Sequence, residues 1–357
     1  MRIGIPTEIK PKEGRVALIP PAAAELVKDG HEVLLQSNAG NGSGYSDDDY
    51  REVGVRIVSD ARAVYGEGQI IVKVKEPIAP EYPLLRPDHT LFSYLHLAAN
   101  PELAQVLKQQ RLTAVAFETV EADGKLPLLA PMSDIAGRLA VHIGMNLLHH
   151  YNGGRGVLLG GLPSSERGRV VVLGAGVAGG NAAAVAAALG AEVTVFAPDR
   201  PGLERMHAFG SNVTALPAFA TLIERAVSEA DLLIGAVLIP GARAPKIVTA
   251  AMVKRMRRGS VIVDISIDQG GCVETMRPTT YDDPTFVIDG VIHFGVTNMP
   301  GAVPRTASQA LSTVLLPYVR RLAARGGRGV VDDPMLVGGV NVADGRIVHP
   351  RVAEALA

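Results

Sequence analysis

Residues 170–190 read VVVLGAGVAGGNAAAVAAALG, a run of apolar β-formers followed by a glycine-rich turn and an alanine-rich stretch. Gly174, Gly176 and Gly179 fall in the G-x-G-x-x-G spacing. In this spacing the first glycine permits a tight strand-to-helix turn, the second lets the backbone approach a pyrophosphate, and the third lets the helix pack on the sheet. The N-terminus of the helix offers free N–H groups to the anion. Because a second strand-like run follows at 191–196, the pattern predicts a dinucleotide-binding βαβ unit.

The composition is that of a globular protein without a strong attraction for polyanions. The chain has 357 residues, which is enough for two domains. Of these residues 47% are hydrophobic and 20% are charged, as in globular proteins. The formal net charge is −1, so we expect neither nucleic acid nor a membrane as a partner. No apolar run reaches the roughly 18 residues of a membrane span, and the N-terminus does not resemble a signal peptide. The single cysteine, Cys272, excludes an internal disulfide framework and a cysteine-based zinc site, and the cytoplasm is the expected location.

Strand-like and helix-like segments alternate along almost the whole chain. This alternation predicts an α/β protein with two domains, each with a doubly wound, mostly parallel sheet. About 130 residues precede the cofactor domain, so a Rossmann dinucleotide-binding domain (129–303) is expected to be inserted into a discontinuous substrate domain (1–128 plus 304–357). The predicted strands lie at 2–5, 32–35, 70–74, 113–117, 170–173, 192–196, 232–236, 260–265, 285–288 and 292–296, and helices include 20–28, 101–109 and 306–321. We expect the active site outside the carboxyl ends of the strands.

Three polar residues in the first domain follow apolar strands. Arg15 could clamp a substrate carboxylate with two hydrogen bonds, although the residues alone favour a solvated loop arginine. Lys75 is separated from Lys73 by one residue, so in a strand both point to the same face, although lysines at strand ends are commonly just solvated. His96 precedes a helix, where it could act as a general acid or base near neutral pH, or simply be packed and hydrogen-bonded.

A fourth candidate, Asp268, belongs to the stretch VIVDISIDQGGC at 261–272. The glycines that follow it allow close approach of the backbone to a ligand. Asp264 competes for the functional role, and an Asx turn is the alternative interpretation. No cluster of histidine, cysteine, aspartate or glutamate has metal-ligand spacing, and neither a G-x-S-x-G elbow nor a Walker loop is present. Hydride transfer without a bound metal is therefore the favoured chemistry.

Several longer stretches carry a resemblance to a known family. They are MRIGIPTEIK at 1–10, GRVALIP at 14–20, VKVKEP at 72–77, LHLAAN at 95–100, LPLLAPMSDIAGR at 126–138, GGRGVLLGG at 153–161, DLLIGAVLIPGARAPK at 231–246, VDISIDQGGCVETMRPTTYDDPTF at 263–286 and TNMPGAVPRT at 297–306. With these stretches in order, the chain resembles the alanine dehydrogenase family over essentially its whole length. The resemblance implies reversible, NAD-dependent oxidation of L-alanine to pyruvate and ammonia by a homo-hexamer.

The same resemblance implies roles for individual residues. Arg15 and Lys75 would hold the substrate carboxylate and carbonyl. His96 would be the acid/base, and Asp268 would activate the water that attacks the imine. Met132 and Asn298 would contact substrate, and the implied cofactor-binding residues are Ser133, Gly174, Gly176, Val177, Ala178, Gly179, Ala197, Asp199, Arg200, Val237, Leu238, Ile267, Asp268 and Asn298.

One departure from the family concerns the choice of cofactor. The family usually places an aspartate for the adenosine ribose at the end of the second Rossmann strand, where this chain has Ala197. Asp199 could replace that contact, whereas Arg200 could accept the additional phosphate of NADP. We expect NAD, with NADP not excluded. The competing interpretations are an NAD-binding subunit of a transhydrogenase, a non-catalytic nucleotide-binding homologue, or a dehydrogenase for another amino acid such as serine or 2-aminobutyrate.

Overall fold

The computed structural model describes residues 1–239 and 244–357. The chain forms two compact units: a terminal unit made of Met1–Met132 and Gly301–Ala357, and a central unit made of Ser133–Pro300. Among the described residues no helix combines the length and the apolar character that crossing a bilayer requires.

The secondary structure consists of short strands alternating with helices. The strands are β1 (Arg2–Ile5), β2 (Glu32–Gln36), β3 (Arg56–Val58), β4 (Ile70–Val72), β5 (Thr90–Ser93), β6 (Thr113–Ala116), β7 (Arg169–Leu173), β8 (Glu192–Ala197), β9 (Val213–Pro217), β10 (Leu232–Gly235), β11 (Val261–Asp264), β12 (Thr285–Ile288), β13 (Val291–Phe294), β14 (Val340–Ala343) and β15 (Arg346–Ile347). The helices are α1 (Pro20–Lys28), α2 (Asp47–Arg51), α3 (Ala61–Glu67), α4 (Pro101–Gln110), α5 (Ala130–Leu147), α6 (Val177–Ala188), α7 (Arg200–His207), α8 (Ala220–Glu229), α9 (Ala250–Arg255), α10 (Pro304–Arg325) and α11 (Pro350–Ala355).

The terminal unit contains an eight-stranded sheet in the order β15-β14-β6-β5-β4-β1-β2-β3. Strands β1 to β6 are parallel, whereas β14 and β15 are antiparallel at one edge. Every residue of β4, β5 and β6 is buried, which is typical of parallel strands covered on both faces. The carboxyl ends of β1, β4, β5 and β6 therefore lie side by side at one edge of this sheet.

The central unit contains a seven-stranded sheet in the order β12-β13-β11-β10-β7-β8-β9. Its strands are parallel except for β12 at the edge. The order reverses between β7 and β10, and such a switch point is where open parallel sheets bind ligands. Alanines on α6 are fully buried in the core that the sheet shares with this helix, so small side chains let the helix approach the strands closely.

The predicted α/β class with two mostly parallel sheets is confirmed. Some predicted boundaries are wrong by a few residues. Strand β4 ends at Val72 rather than at 74, because the N–H of Val74 donates to the Glu8 carboxylate instead of to a neighbouring strand. The glycine-rich stretch 325–331 contains a 3-10 helix at Gly327–Val330.

A buried histidine in the terminal unit makes stability dependent on pH. The ring of His89 is 1% exposed; its Nδ1 accepts from the N–H of Arg86, so Nε2 donates to the carbonyl of Tyr65 at 2.9 Å. Burial lowers the pKa of His89 below its ordinary value of 6.5. The unfolded chain then takes up a proton at a pH where the folded chain does not, so stability is complete above about pH 6.5 and falls below it.

We therefore expect the melting temperature to fall as the pH is lowered from 7.5 to 5.5, and to fall less in His89→Asn. A change of one kcal/mol in the free energy of unfolding shifts the melting temperature of a domain of roughly 150–250 residues by about 2–4 °C. The matched control is His150→Asn, since His150 is exposed. If the melting temperatures of wild type and His89→Asn fell equally with pH, His89 would not be a source of the pH dependence.

Candidate active site

The terminal unit brings three of the predicted residues to the edge where its parallel strands end. Arg15 lies on the segment after β1, Lys75 follows β4, and His96 follows β5. Glu118 follows β6, the next strand of the sheet, within a 3-10 helix at Phe117–Thr119. Neighbouring parallel strands place the residues that follow them at one edge, so these four side chains belong to one region of the unit.

Arg15 is a buried cation with a carboxylate behind it. It is 2% exposed, and its Nε and Nη2 donate to the Glu13 carboxylate at 2.7 and 2.5 Å. Its Nη1 lies 3.2 Å from the sulfur of Met132. Burial alone would lower the pKa of Arg15, but the hydrogen-bonded Glu13 carboxylate reverses this and the net shift is upward. The site therefore holds a permanent guanidinium, whose planar fork suits a substrate carboxylate.

Lys75 is surrounded by two carboxylates. Its backbone N–H lies 3.3 Å from the Glu8 carboxylate, which also accepts from Val74, and its Nζ lies 3.9 Å from Glu76. Glu76 is also paired with Lys10. Burial would raise the pKa of Glu76, but Lys75 and Lys10 outweigh it and the net shift is downward. A charged Glu76 thus keeps the Lys75 ammonium beside the end of β4.

The side chain of Lys73 has other partners than that of Lys75, although the Glu8 carboxylate lies near both residues. It is 1% exposed and its Nζ lies 2.8 Å from Glu81 and 3.5 Å from Glu8. The hydroxyl of Tyr65 also donates to Glu81 at 2.9 Å. Burial would lower the pKa of Lys73, but its two carboxylate partners give a net upward shift. Lys73 is consequently part of a buried ionic cluster that supports the segment after β4.

His96 is held in an unusual backbone conformation. Its φ is 47° and its ψ is 41°, in the left-handed region. Its backbone N–H donates to Oε1 of Glu118 at 2.6 Å, and its ring stacks on Tyr94 with centroids 5.7 Å apart and planes 3° apart. The side chain is 37% exposed, so the imidazole can reach a ligand while one of its faces is covered.

The sequence analysis did not identify the carboxylates that contact Arg15, Lys75 and His96. Glu13 supports Arg15, Glu76 lies beside Lys75, and Glu118 supports His96. Glu13 and Glu76 are close in sequence to the cations that they contact, so proximity was an available signal. Glu118 is 22 positions from His96, and no local pattern links the two.

In the central unit the glycine turn has the geometry that a dinucleotide needs. Gly174 has φ +107°, and a Cβ on Gly179 would lie 1.9 Å from the carbonyl oxygen of Gly174. A Cβ on Gly176 would meet nothing within 4 Å, so the space above this residue is open. Gly176 is also the N-cap of the twelve-residue α6 and supplies no side-chain cap. The free N–H groups of the helix and the open space fit a pyrophosphate.

Asp264 and Asp268 have clearly different environments. Asp264 is 1% exposed, and its carboxylate accepts from the backbone N–H groups of Ser266, Cys272 and Val273. Burial raises its pKa even though these hydrogen bonds oppose the shift. It therefore holds the loop after β11.

Asp268 lies in the 3-10 helix Ile265–Gln269 rather than at the strand end. It is exposed, and its Oδ1 accepts from the N–H of Asn298 at 3.2 Å. Asn298 itself has φ 62°. Of the two carboxylates, only that of Asp268 is placed to meet a ligand.

The end of β8 carries the residues expected to meet the adenosine ribose. Ala197 is fully buried, and Asp199 caps α7 by accepting from the N–H of Gly202 at 2.6 Å. The side chain of Arg200 is 88% exposed and pairs with Glu204 one turn later. The Asp199 carboxylate is thus already committed to the helix, and Arg200 extends into solvent.

The remaining cofactor residues that the resemblance implied differ in exposure. Val177 and Leu238 are 45% and 47% exposed, whereas Ile267 is 4% exposed and packs in the core of the central unit. The N–H of Val237 donates to Ser266 at 2.9 Å. Ala178 and Ser133 are half-buried, at the start of α6 and on α5. In the motif 231–246, residues 240–243 lie outside the described residues.

Within residues 1–239 and 244–357, no group of three or more histidine, cysteine, aspartate or glutamate side chains could hold a metal ion. Cys272 is a free, buried thiol. Burial raises its pKa, which makes it a poor nucleophile.

Comparisons with known proteins agree on one family. Residues 4–136 match the N-terminal domain of the alanine dehydrogenase/PNT family, and residues 140–350 match its C-terminal domain. Alanine dehydrogenase from Mycolicibacterium smegmatis is 49% identical over 359 residues, covering 100% of this chain and 97% of that protein. Alanine dehydrogenase from Bacillus subtilis is 47% identical, covering 100% and 95%. A solved L-alanine dehydrogenase superposes with a TM-score of 0.95 at 50% identity, over the whole of both chains. A solved transhydrogenase from Sinorhizobium meliloti superposes with a TM-score of 0.84 at 25% identity, covering 98% of this chain and 99% of that one.

Proposed function

The chain belongs to the alanine dehydrogenase/PNT family, and on that premise we propose that it catalyses the reversible NAD-dependent oxidative deamination of L-alanine. L-Alanine, NAD+ and water give pyruvate, ammonium, NADH and one released proton. This reaction is favoured over a transhydrogenase role because the chain is 47–49% identical to alanine dehydrogenases and 25% identical to the transhydrogenase.

One structural observation carries the proposal. The buried guanidinium of Arg15, the ammonium of Lys75 and the partly exposed imidazole of His96 occupy the ends of adjacent parallel strands. Two cations and an imidazole suit an amino acid, whose carboxylate must be fixed while its ammonium loses a proton. A purely nucleotide-binding protein would have no need of this set.

In the proposed mechanism Arg15 binds the alanine carboxylate and Lys75 the carbonyl oxygen of pyruvate. This fixes the α-carbon for reaction, and orientation of this kind can supply a large part of a rate enhancement. His96 accepts the proton that the ammonium releases as the C–H bond breaks. Asp268 takes a proton from the water that attacks the imine carbon, and ammonia then leaves the resulting carbinolamine.

The cofactor is held by the central unit in this proposal. Gly174, Gly176 and Gly179 would receive the pyrophosphate at the start of α6, and Asn298 would contact the nicotinamide region. When bound, NAD accepts the hydride from the α-carbon of alanine. The open space at Gly176 and the uncapped helix support this assignment.

The test is the initial rate of absorbance change with purified protein and L-alanine, with NAD and NADP in parallel. Rapid reduction of NAD supports the proposal. Turnover of serine or 2-aminobutyrate in preference to alanine would reassign the substrate. Binding of NADH without turnover of any amino acid would instead favour a non-catalytic or transhydrogenase-like role.

The choice of cofactor is the finer part of the proposal. We propose NAD, although the end of β8 lacks the acidic group that repels the 2′-phosphate of NADP. The exposed Arg200 is the cation nearest in sequence that could accept this phosphate.

We expect Ala197→Asp to increase the preference for NAD over NADP by about tenfold, because a carboxylate there would bond the ribose hydroxyls and repel a phosphate. The measurement is kcat/KM for both cofactors at fixed alanine, with Ala197→Asn as the uncharged control; because Ala197 is buried, the melting temperatures of both variants check that they fold. Comparable kcat/KM for NAD and NADP in the wild type would overturn the choice of NAD.

The proposed assembly is a homo-hexamer, as the resemblance implies, and light scattering that gives six chain masses would support it. The proposed location is the cytoplasm, where the buried free thiol of Cys272 stays reduced. Cell fractionation tests this location.

A further inference from the structure

We propose that Glu118 is a positioning residue for His96. Its carboxylate fixes the backbone of residues 95 and 96 and faces the Nδ1 side of the ring, which leaves Nε2 as the ring nitrogen that meets the substrate. The proposal rests on the proposed function for the role of His96, but the interaction itself exists without any substrate.

The backbone contacts are the first support. At the end of β5 the N–H groups of Leu95 and His96 turn away from the sheet and need other acceptors. The Oε1 of Glu118 accepts from His96 at 2.6 Å, and both carboxylate oxygens lie 3.2 Å from the N–H of Leu95. The left-handed conformation of His96 is uncommon for a residue with a side chain, and these hydrogen bonds stabilise it.

The orientation of the ring is the second support. One face of the imidazole lies against Tyr94, whose hydroxyl donates to the carbonyl of Leu128 at 2.6 Å. One edge of the ring faces Glu118, with Nδ1 3.9 Å from Oε1. The side chain of Glu118 is only 14% exposed, so water screens its charge weakly. A carboxylate on this side favours a proton on Nδ1 and stabilises the positive charge that forms when Nε2 accepts a proton.

The first experiment compares kcat and KM for Glu118→Gln and Glu118→Ala. Glutamine keeps an oxygen for the backbone N–H groups but loses the charge. We expect kcat to fall by about tenfold while KM for alanine changes by less than about twofold, because Arg15 and Lys75 are untouched. Alanine also removes the backbone acceptor, so Glu118→Ala is expected to lose more activity and to melt at a lower temperature. Glu121→Gln, on the same loop and exposed, is the matched control and should match wild type.

The second experiment asks whether Glu118 acts through His96. In the background of His96→Asn, Glu118→Gln should cause no further loss of kcat, since the group that it positions is gone. An equal loss in both backgrounds, or an unchanged kcat in Glu118→Gln alone, would show that Glu118 has only a structural role.

The third measurement does not depend on activity. Magic-angle-spinning spectra of protein labelled with 15N-histidine report which ring nitrogen carries the proton, and the His96 signals are assigned by their loss in His96→Asn. We expect the Nδ1–H tautomer in wild type and an increased Nε2–H fraction in Glu118→Gln. An unchanged tautomer would overturn the proposal even if alanine is turned over, and the expected change would support it even if the substrate proves to be different.

Discussion

Replacing His96 with alanine is expected to lower kcat for alanine oxidation by at least about 100-fold, because it removes the imidazole to which the mechanism assigns transfer of the substrate proton. His96→Asn should lose a similar factor. Asparagine tolerates the left-handed backbone at this position, so it separates lost proton transfer from added backbone strain. Steady-state rates in both directions of the reaction are the measurement.

The matched control for His96 is His207→Ala, since His207 is exposed in the last turn of α7. NADH binding, followed by fluorescence, should be unchanged in His96→Ala because the cofactor residues lie in the central unit. Near-wild-type kcat in both His96 variants would remove this residue from the mechanism.

Replacing Asp268 with asparagine is also expected to lower kcat by at least about 100-fold. The substitution keeps the size of the side chain and an oxygen that can accept from the N–H of Asn298, so the loop after β11 should keep its conformation. What is lost is the base that activates water. Asp283→Asn, at another exposed position of the central unit, serves as the control.

The reaction step that is slowed in Asp268→Asn gives a further check on the role of Asp268. The step assigned to it follows hydride transfer, so a pre-steady-state burst of NADH that remains while steady turnover falls would place the defect at imine hydrolysis. Loss of the burst together with turnover would mean that Asp268 acts earlier. Turnover at the wild-type rate would eliminate its proposed role.

Much of the fold was predictable because its information is local. The helix 20–28 and the strand 285–288 were predicted with the bounds that the structure shows, since a proline at a helix start and a short β-branched run act within a few residues. The ends of β4 and β11 were predicted too late. In both places a buried carboxylate accepts from a backbone N–H just beyond the strand: that of Glu8 from Val74, and that of Asp264 from Ser266. Hydropathy does not show such hydrogen bonds.

The candidate site was also predictable from the sequence only in part. Residue types and their places after strands made Arg15, Lys75 and His96 candidates, and the family resemblance supplied their roles. The residues alone left Asp264 and Asp268 as alternatives, and the family resemblance favoured Asp268. In the structure burial separates the two carboxylates, which their sequence contexts do not.

By itself the sequence determined the α/β class, the dinucleotide-binding turn and the family. The reason is that a buried parallel strand requires a short apolar run, and that only glycine can place its backbone as close to a neighbour as Gly179 lies to Gly174. Tertiary structure alone decided which carboxylates support the reactive groups. Glu118 reaches His96 because β5 and β6 are neighbours in the sheet, and a hydrogen bond between two strand ends leaves no periodic or local mark on the chain.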